Sequence, residues 1–272
     1  MSGIHFVIGT LLATVSLGST TIAHATDTDA NLQRDLERIA QQRIFFGHQS
    51  VGMNLLDGVK QLATTAGVPV RVVEVTSASD VKPATIGHAF IAKNGDPYQK
   101  IKRFEQAFGQ QPSNIDIALM KFCFVDFTAN TDTKALFSQY RATFDALKAR
   151  NPHTIFVHVT APLTAKTGGL KGLAKQIFGR DGSAENARRE EYNTLLRKAY
   201  QGHAPIFDLA RVESVDPNGK NVTVEYGGLT APAMATEYTN DGGHLNDLGS
   251  IRAARELVSV LASIPAKPVS AH

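Results

Sequence analysis

The sequence predicts a three-layer α/β/α domain built on a parallel sheet of five strands. The chain has 272 residues, of which 43% are hydrophobic and 19% charged, a mixture typical of a globular protein. Short apolar runs alternate with amphipathic stretches, and this alternation is typical of a parallel sheet covered by helices on both faces. No internal repeat, low-complexity tract or linker divides the chain, and its length is sufficient for one full core. We therefore expect a single domain over residues 26–272.

Residues 1–25 have the pattern of an export signal. They contain no Asp, Glu, Lys or Arg, and an apolar stretch runs from Ile4 to Leu17. The segment ends in Ala-His-Ala, the small-x-small pattern that signal peptidase accepts. The alternative is an apolar N-terminal helix, since no basic side chain precedes the stretch. We expect cleavage before Thr26, a secreted or periplasmic location, and no stable membrane insertion after the signal is removed.

Charge and cysteine content exclude several classes of function. Lys+Arg 28 against Asp+Glu 25 gives a net charge of +3, which is too balanced to indicate a nucleic-acid partner. The single cysteine, Cys123, excludes an intramolecular disulfide and lies in an apolar run that predicts a buried, inert thiol. Histidines such as His48 and His158 lack the spacing of a zinc site, so we expect no metal and no cofactor.

Each predicted strand is an apolar or β-branched run. Arg43–Gly47 is apolar in its middle, and Ile115–Phe124 is the continuous apolar run of a buried central strand. The remaining predicted strands are Val70–Thr76, Thr154–Thr160 and Pro205–Ala210, with a small hairpin around Val222–Tyr226. The segment from Ser77 to Pro97 is predicted to be a polar loop.

Helical periodicity connects these strands. Helices are predicted over residues 32–42, Ser50–Ala66, Tyr98–Phe108, Thr133–Arg150, Ala184–Gly202 and Ile251–Leu261. The glycine-rich stretch Lys166–Arg180 carries four basic residues. It fits either a basic lid over an anionic substrate or a solvated loop. Because reactive groups gather beyond the carboxyl ends of parallel strands, the site is expected just after Gly47 and in the other loops at that edge.

A serine at the first strand-to-helix turn is the first candidate catalytic group. Ser50 follows Gly47-His48-Gln49 and opens the predicted second helix. Backbone N–H groups and the helix dipole favour negative charge there, which suits a nucleophile that passes through an oxyanion. The alternative is that Ser50 only caps the helix.

The loop before the last helix carries the complementary groups. Asp241 and His244 are three residues apart, so one turn can place the carboxylate against the imidazole. Asp241 would then fix the tautomer of His244 and leave its other nitrogen to accept a serine proton. The alternative is a turn-forming Asp beside a surface His.

These two motifs resemble those of the SGNH (GDSL-type) hydrolases. In that family the nucleophilic serine follows the first strand, and Asp-x-x-His precedes the C-terminal helix; Ser50, Asp241 and His244 match. The resemblance covers most of residues 43–262 in order of elements. It implies a flavodoxin-like strand order and a serine esterase that works without a cofactor.

The middle of the chain departs from the family pattern. Gly95 matches, by order and loop position, the glycine whose N–H contributes to the oxyanion hole. The family's asparagine after the third strand is missing, and Asn94 or Asn54 could replace it only if the loops fold suitably. We therefore expect the backbone N–H groups of Ser50 and Gly95 as oxyanion donors.

Two further side chains near these motifs have open roles. His48-Gln49 stand where the family has Gly-Asp before the serine, and His48 fits either assistance to catalysis or substrate binding, or a hydrogen-bonded structural role. Lys121, in the apolar third strand, needs a partner or a polar site. It either reaches the rim of the active site, with Asp126 as the candidate partner, or points outward at the end of the strand.

These patterns predict an exported serine esterase that removes small, acetyl-like groups from a small-molecule or glycan ester. The alternatives are an O-acyltransferase with the same three residues and a non-catalytic glycan- or partner-binding module. The acyl group, the alcohol and the oligomeric state are left open.

Overall fold

A computed structural model describes residues 20–109, 112–166 and 182–265. Most of the predicted signal segment, and the predicted lid apart from Lys166, lie outside these residues. Seven α-helices are described: α1 Thr20–Ile39, α2 Ser50–Ala66, α3 Pro97–Phe108, α4 Thr133–Arg150, α5 Ser183–Tyr200, α6 Leu209–Glu213 and α7 Asp247–Ala262. Eight strands are described: β1 Arg43–His48, β2 Val72–Glu74, β3 Thr85–Phe90, β4 Ile117–Met120, β5 Ile155–Val159, β6 Ile206–Phe207, β7 Thr223–Tyr226 and β8 Leu229–Pro232.

The central sheet is parallel and has the order β2-β3-β1-β4-β5-β6. The predicted α/β/α class is confirmed, but the predicted count of five strands is wrong, because six pair. Strand β3 is inserted between β2 and β1, and the other five follow the flavodoxin-like order. The predicted hairpin is present as β7 and β8, which pair antiparallel.

Strand β3 lies inside the segment predicted to be a polar loop. Its sequence, TIGHAF, contains a glycine and a histidine, which hide its alternation. Gly87 is required there, because a Cβ would lie 2.4 Å from Val81 Cγ2. Pairing with two neighbouring strands therefore outweighs the weak strand propensity of this segment.

Helices bury apolar side chains against both faces of the sheet. Phe46 and Ile44 of β1 face a core made with α1, α2 and α7, whereas Phe45 faces a second core made with α3, α4 and α5. On the second face the rings of Phe104 and Phe144 stack at 5.5 Å between centroids. Alternate side chains of β1 enter the two cores, and this fixes the register of the strand. The register in turn sets the position of the turn that follows the strand.

Candidate active site

Ser50 is the first residue of α2, immediately beyond the carboxyl end of β1. The residue that caps the helix is Gln49, so the alternative in which Ser50 serves as the cap is wrong. The Ser50 hydroxyl instead contacts His244, with 3.0 Å between Oγ and Nε2. Within the described residues no acceptor is bound to the backbone N–H of Ser50.

His244 and Asp241 meet in the loop before α7. His244 Nδ1 lies 2.6 Å from Asp241 Oδ2. Because a carboxylate only accepts hydrogen bonds, this contact places the proton of the neutral imidazole on Nδ1 and leaves Nε2 to accept the Ser50 proton. The structure thus brings Ser50, His244 and Asp241 into one line of hydrogen bonds, although Ser50 and His244 are 194 positions apart.

The second oxygen of Asp241 fixes the loop itself. Asp241 Oδ1 accepts the backbone N–H groups of His244 at 2.8 Å and Gly243 at 2.9 Å. The bond from the His244 N–H, with the other hydrogen bonds, holds the pKa of Asp241 well below its usual range. The carboxylate therefore stays ionised at any pH at which the imidazole can act as a base.

An aromatic ring forms the wall beside the imidazole. Phe124, in the 3₁₀ turn Phe124–Asp126 after β4, meets the His244 ring edge to face at 5.4 Å between centroids. Gly243 allows this contact, because a Cβ there would lie 2.5 Å from Phe124 Cζ. Sequence analysis missed Phe124, since nothing in its apolar run distinguishes a wall residue from a core residue.

His48 is fully buried and both of its ring nitrogens contact protein groups, which favours the structural role over substrate binding. Its Nδ1 donates to the Gln49 carbonyl at 2.9 Å, and its Nε2 lies 3.1 Å from His88 Nδ1. Burial lowers the pKa of His48 to about 3, so the ring is neutral. Gly52 leaves room for it, because a Cβ there would lie 2.3 Å from His48 Cγ. The network fixes the backbone just before Ser50.

The side chain of Gln49 connects the turn before Ser50 to the loop after β3. Its Nε2 donates to the Ala92 carbonyl at 2.6 Å. Ala92 has a φ of +51°, which non-glycine residues adopt rarely. Sequence analysis missed this role, because an amide side chain beside a serine has no pattern that reveals its partner.

Gly95 does not fit the oxyanion role expected from the sequence. Its N–H donates to Asp126 Oδ1 at 2.7 Å, so a bond to substrate would have to break that contact. Asn94, next to it, is exposed, and its Oδ1 accepts from Lys100 Nζ at 2.8 Å. Asn54 lies one turn into α2, and its Oδ1 is buried with no hydrogen-bond partner among the described residues.

Asp126 pairs with Lys100 rather than with Lys121. The Lys100 Nζ–Asp126 Oδ2 distance is 2.6 Å, and both side chains are fully buried. Lys121 is also buried and donates to the Phe122 carbonyl, so it does not reach the rim of the site. Cys123 is buried, as predicted. Lys100 could have been found from the sequence, because it shares the inward helical face of Ile101 and Phe104.

Buried ionisable side chains lie next to the loop that carries Asp241. Glu213 accepts the Leu163 N–H at 2.6 Å through one oxygen, and its other oxygen has no partner among the described residues. Burial raises the pKa of Glu213 to about 8 and lowers that of Lys121 to about 8. Ala165 connects this region to the loop, since its N–H donates to the Gly242 carbonyl at 2.9 Å.

Other features of the described residues add no reactive group. Asp208 caps α6 and pairs with Arg197. Within the described ranges, no cluster of three or more His, Cys, Asp or Glu side chains could hold a metal ion. Across the same ranges, no helix has both the length and the apolar character of a membrane span.

Comparison with solved structures identifies the fold. One similar structure, described as a candidate acylhydrolase from Bacteroides fragilis NCTC 9343, is 16% identical with a TM-score of 0.51, over 86% of this chain and 96% of that one. A GDSL-like lipase from Bacteroides thetaiotaomicron VPI-5482 is 14% identical with a TM-score of 0.51, over 90% and 98%. No family model and no curated protein matches the sequence. The chain has the fold of the GDSL-type, or SGNH, hydrolases.

Proposed function

We propose that this chain is a serine esterase of SGNH type, in which Ser50 is the nucleophile, His244 the general base and Asp241 its orienting carboxylate. The observation that carries the proposal is the unbroken line of contacts from Ser50 Oγ to His244 Nε2 at 3.0 Å and from His244 Nδ1 to Asp241 Oδ2 at 2.6 Å. A capping serine and a surface histidine would not require this alignment of a hydroxyl, an imidazole and a carboxylate.

The contacts support a two-step acyl transfer. His244 Nε2 accepts the hydroxyl proton while Ser50 Oγ bonds to the ester carbonyl carbon, whose oxygen becomes an oxyanion. The intermediate collapses, the bond to the alcohol oxygen breaks, and that oxygen takes the proton from His244. Water then repeats the sequence on the acyl-enzyme, which releases the acid and restores the Ser50 hydroxyl.

The positive charge on the imidazole and the negative charge on the oxyanion are both stabilised by groups whose positions are already fixed. The ionised Asp241 stabilises the imidazolium that forms on His244. The N–H of Ser50 and the N-terminus of α2 face the oxyanion, where the helix dipole favours negative charge. Both contributions are in place before substrate binds, so little reorganisation is needed during the reaction.

We propose small, acetyl-like acyl groups on a carbohydrate alcohol as the substrate class. The Phe124 ring against His244 supports the small acyl group, since it occupies space beside the reacting atoms. Exposed polar residues around the site, such as Asn94 and Asn240, support a hydroxyl-rich alcohol over a lipid chain.

We also propose that the enzyme acts after export, in a secreted or periplasmic form. The apolar, uncharged segment 1–25 with its small-x-small end supports this location. Leu32, Leu36 and Ile39 of α1 lie in the core and follow Thr26. Cleavage before Thr26 would therefore keep these three residues in the mature chain.

The test is to treat the purified protein with a fluorophosphonate probe and to assay hydrolysis of an acetyl ester. We expect labelling and turnover in the wild type, and loss of both in Ser50→Ala, with kcat reduced about 10⁴-fold or more. Ser138→Ala is the matched control, because Ser138 is an exposed serine of α4.

Two outcomes would contradict the proposal. Labelling of Ser50 without hydrolysis, together with acyl transfer to an added sugar, would favour an acyltransferase. Absence of labelling in a folded protein that binds glycan, unchanged by Ser50→Ala, would favour a binding module.

A further inference from the structure

A buried arginine in α5 connects the turn after β4 to the loop after β5. Arg189 lies in the second turn of the helix and is 3% exposed. Its guanidinium donates to the Phe124 carbonyl, the Thr164 hydroxyl and the Asn186 side-chain oxygen. All three acceptors are uncharged. Burial lowers the pKa of Arg189 to about 10, so the side chain still carries its charge at neutral pH.

Core stability does not explain a charged side chain at this position. Burying a charge costs free energy, and apolar replacements of buried charges are often neutral or stabilising. The other buried positions of α5 hold uncharged residues, namely Ser183, Ala184, Asn186, Tyr192, Asn193 and Leu196. The arginine thus points to a requirement for its hydrogen bonds, since a planar guanidinium can donate to two separate segments at once.

The first of these segments is the turn that carries the aromatic wall of the site. Arg189 Nη2 and Nε both donate to the Phe124 carbonyl, at 2.8 Å and 3.1 Å. These bonds hold the backbone from which the Phe124 ring projects. The ring meets the His244 imidazole at 5.4 Å between centroids, and a Cβ on Gly243 would lie 2.5 Å from its Cζ. The arginine therefore sets how closely the ring approaches the proposed base.

The second segment is the loop after β5, which is bonded to the loop of the proposed base. The guanidinium donates through Nη1 to Thr164 Oγ1 at 3.0 Å. Asn186, one turn earlier in α5, holds the backbone of Thr164: its Nδ2 donates to the carbonyl at 2.8 Å, and its Oδ1 accepts the N–H at 3.1 Å. The next residue, Ala165, donates its N–H to the Gly242 carbonyl at 2.9 Å. The loop before α7 is therefore held at a second point.

We infer that Arg189 is a positioning residue for the proposed base, His244. Through Phe124 it fixes the ring beside the imidazole, and through Thr164 it fixes the loop that carries the imidazole. Together the two contacts keep His244 Nε2 within hydrogen-bond distance of Ser50 Oγ, 3.0 Å away. The inference rests on the proposed esterase function. Arg189 acts through these two segments and contacts no reacting atom.

The first test is hydrolysis of an acetyl ester by Arg189→Met and Arg189→Lys. Methionine loses every donor, whereas lysine keeps the charge but not the planar fork. We expect kcat to fall about 10²-fold in Arg189→Met and less in Arg189→Lys, with KM changed less than about threefold, because a displacement of about 1 Å at a catalytic group costs that much in rate. Arg188→Met is the matched control with wild-type kcat, since Arg188 is 41% exposed and pairs with Glu191.

The second test breaks one contact and keeps the buried charge. Thr164→Val removes the hydroxyl that accepts from Arg189 and nearly preserves the shape of the side chain. We expect kcat to fall about 2- to 10-fold, as for the loss of one hydrogen bond, with KM near the wild-type value. In the Arg189→Met background the same change should have little further effect, because both changes break the same link. Thr194→Val, at an exposed position of α5, is the matched control.

The outcomes separate the two proposals. No hydrolysis by the wild type would overturn the esterase function itself. Wild-type turnover with unchanged kcat in folded Arg189→Met, or with a raised KM alone, would leave the esterase standing and overturn the role of Arg189. A merely structural role would lower the midpoint of thermal unfolding and leave the kcat of the folded variants intact. If Arg189→Met does not fold, unchanged kcat in both Arg189→Lys and Thr164→Val would overturn the inference equally.

Discussion

The two sides of the site differ in how far their side chains are buried. On the side of Ser50, His48 and the Lys100–Asp126 pair are fully buried. His48 holds the backbone just before Ser50, and the pair fixes the neighbouring loop after β3. On the base side, the side chains of His244 and Asp241 are 42% and 56% exposed. His244 is held by hydrogen bonds to Asp241 and Ser50 and by the ring of Phe124. Changes on the buried side should therefore affect folding together with activity, whereas changes on the exposed side should affect activity alone.

The largest expected effect comes from the exposed side. In Asp241→Asn the backbone bonds to the side-chain oxygen can persist, but the amide does not hold the required tautomer of His244. We expect kcat for an acetyl ester to fall about 10⁴-fold. The free energy of unfolding should fall by about 1 kcal/mol or less, because these exposed hydrogen bonds persist with a neutral acceptor, as measured by urea denaturation. Asp247→Asn, an exposed carboxylate at the start of α7, is the control. A large loss of stability in Asp241→Asn would contradict the expected difference between the buried and the exposed side of the site.

Gly52→Ala tests the buried side. Its Cβ would lie 2.3 Å from His48 Cγ, so the imidazole that holds the Gln49 carbonyl must move. We expect about 1–3 kcal/mol loss in the free energy of unfolding, together with a reduced kcat. Gln61→Ala, at an exposed position of the same helix, should leave both quantities near wild type. Reduced kcat without reduced stability would show that the buried side behaves like the exposed one.

The last prediction concerns the pH dependence of stability and the buried Glu213, next to the loop that carries Asp241 and His244. The pKa of Glu213 is raised by burial to about 8, from an ordinary value of 4.5, with Lys121 and Arg189 as its charged neighbours. The folded state thus keeps a proton that the unfolded state releases, so this residue lowers the free energy of unfolding as pH rises from about 4.5 to about 8. Glu213→Gln should remove this slope.

We expect Glu213→Gln to gain stability over the wild type progressively across that window, reaching about 2–5 kcal/mol at pH 8 and levelling off above it. Urea denaturation at several pH values measures the difference. Glu256→Gln, an exposed glutamate of α7, should show no such trend. A stability difference that does not vary between pH 5 and 8 would contradict the assignment.

The parts predicted from the sequence are those with a local pattern. The turn that carries Ser50 follows an apolar run and opens an amphipathic helix, and Asp241 and His244 are spaced for a single turn. Strand β3 escaped prediction because Gly87 and His88 interrupt its alternation, and its stability comes from two pairing partners. The residues of β3 by themselves do not reveal which two strands it pairs with.

The supporting contacts of the site could not be predicted, because each joins segments distant in sequence. Gly95 matches the expected position of an oxyanion donor, yet its N–H is bound by Asp126, 31 residues away. The sequence pointed to Lys121 as the partner of Asp126, since both lie in one run. The actual partner, Lys100, comes from a helix whose face is set only when α3 packs on the sheet.

The distance between Ser50 and His244 along the chain also has a kinetic consequence. Ser50 opens α2, His244 lies in the loop before α7, and α7 packs on both α1 and α2. Contacts between such distant segments carry a loop-closure cost and form late in folding. A chain synthesised only as far as α6 has Ser50 but not yet His244, and one that lacks α7 loses the packing of this helix on α2. Under the proposed function, the chain can therefore become active only after α7 has been synthesised.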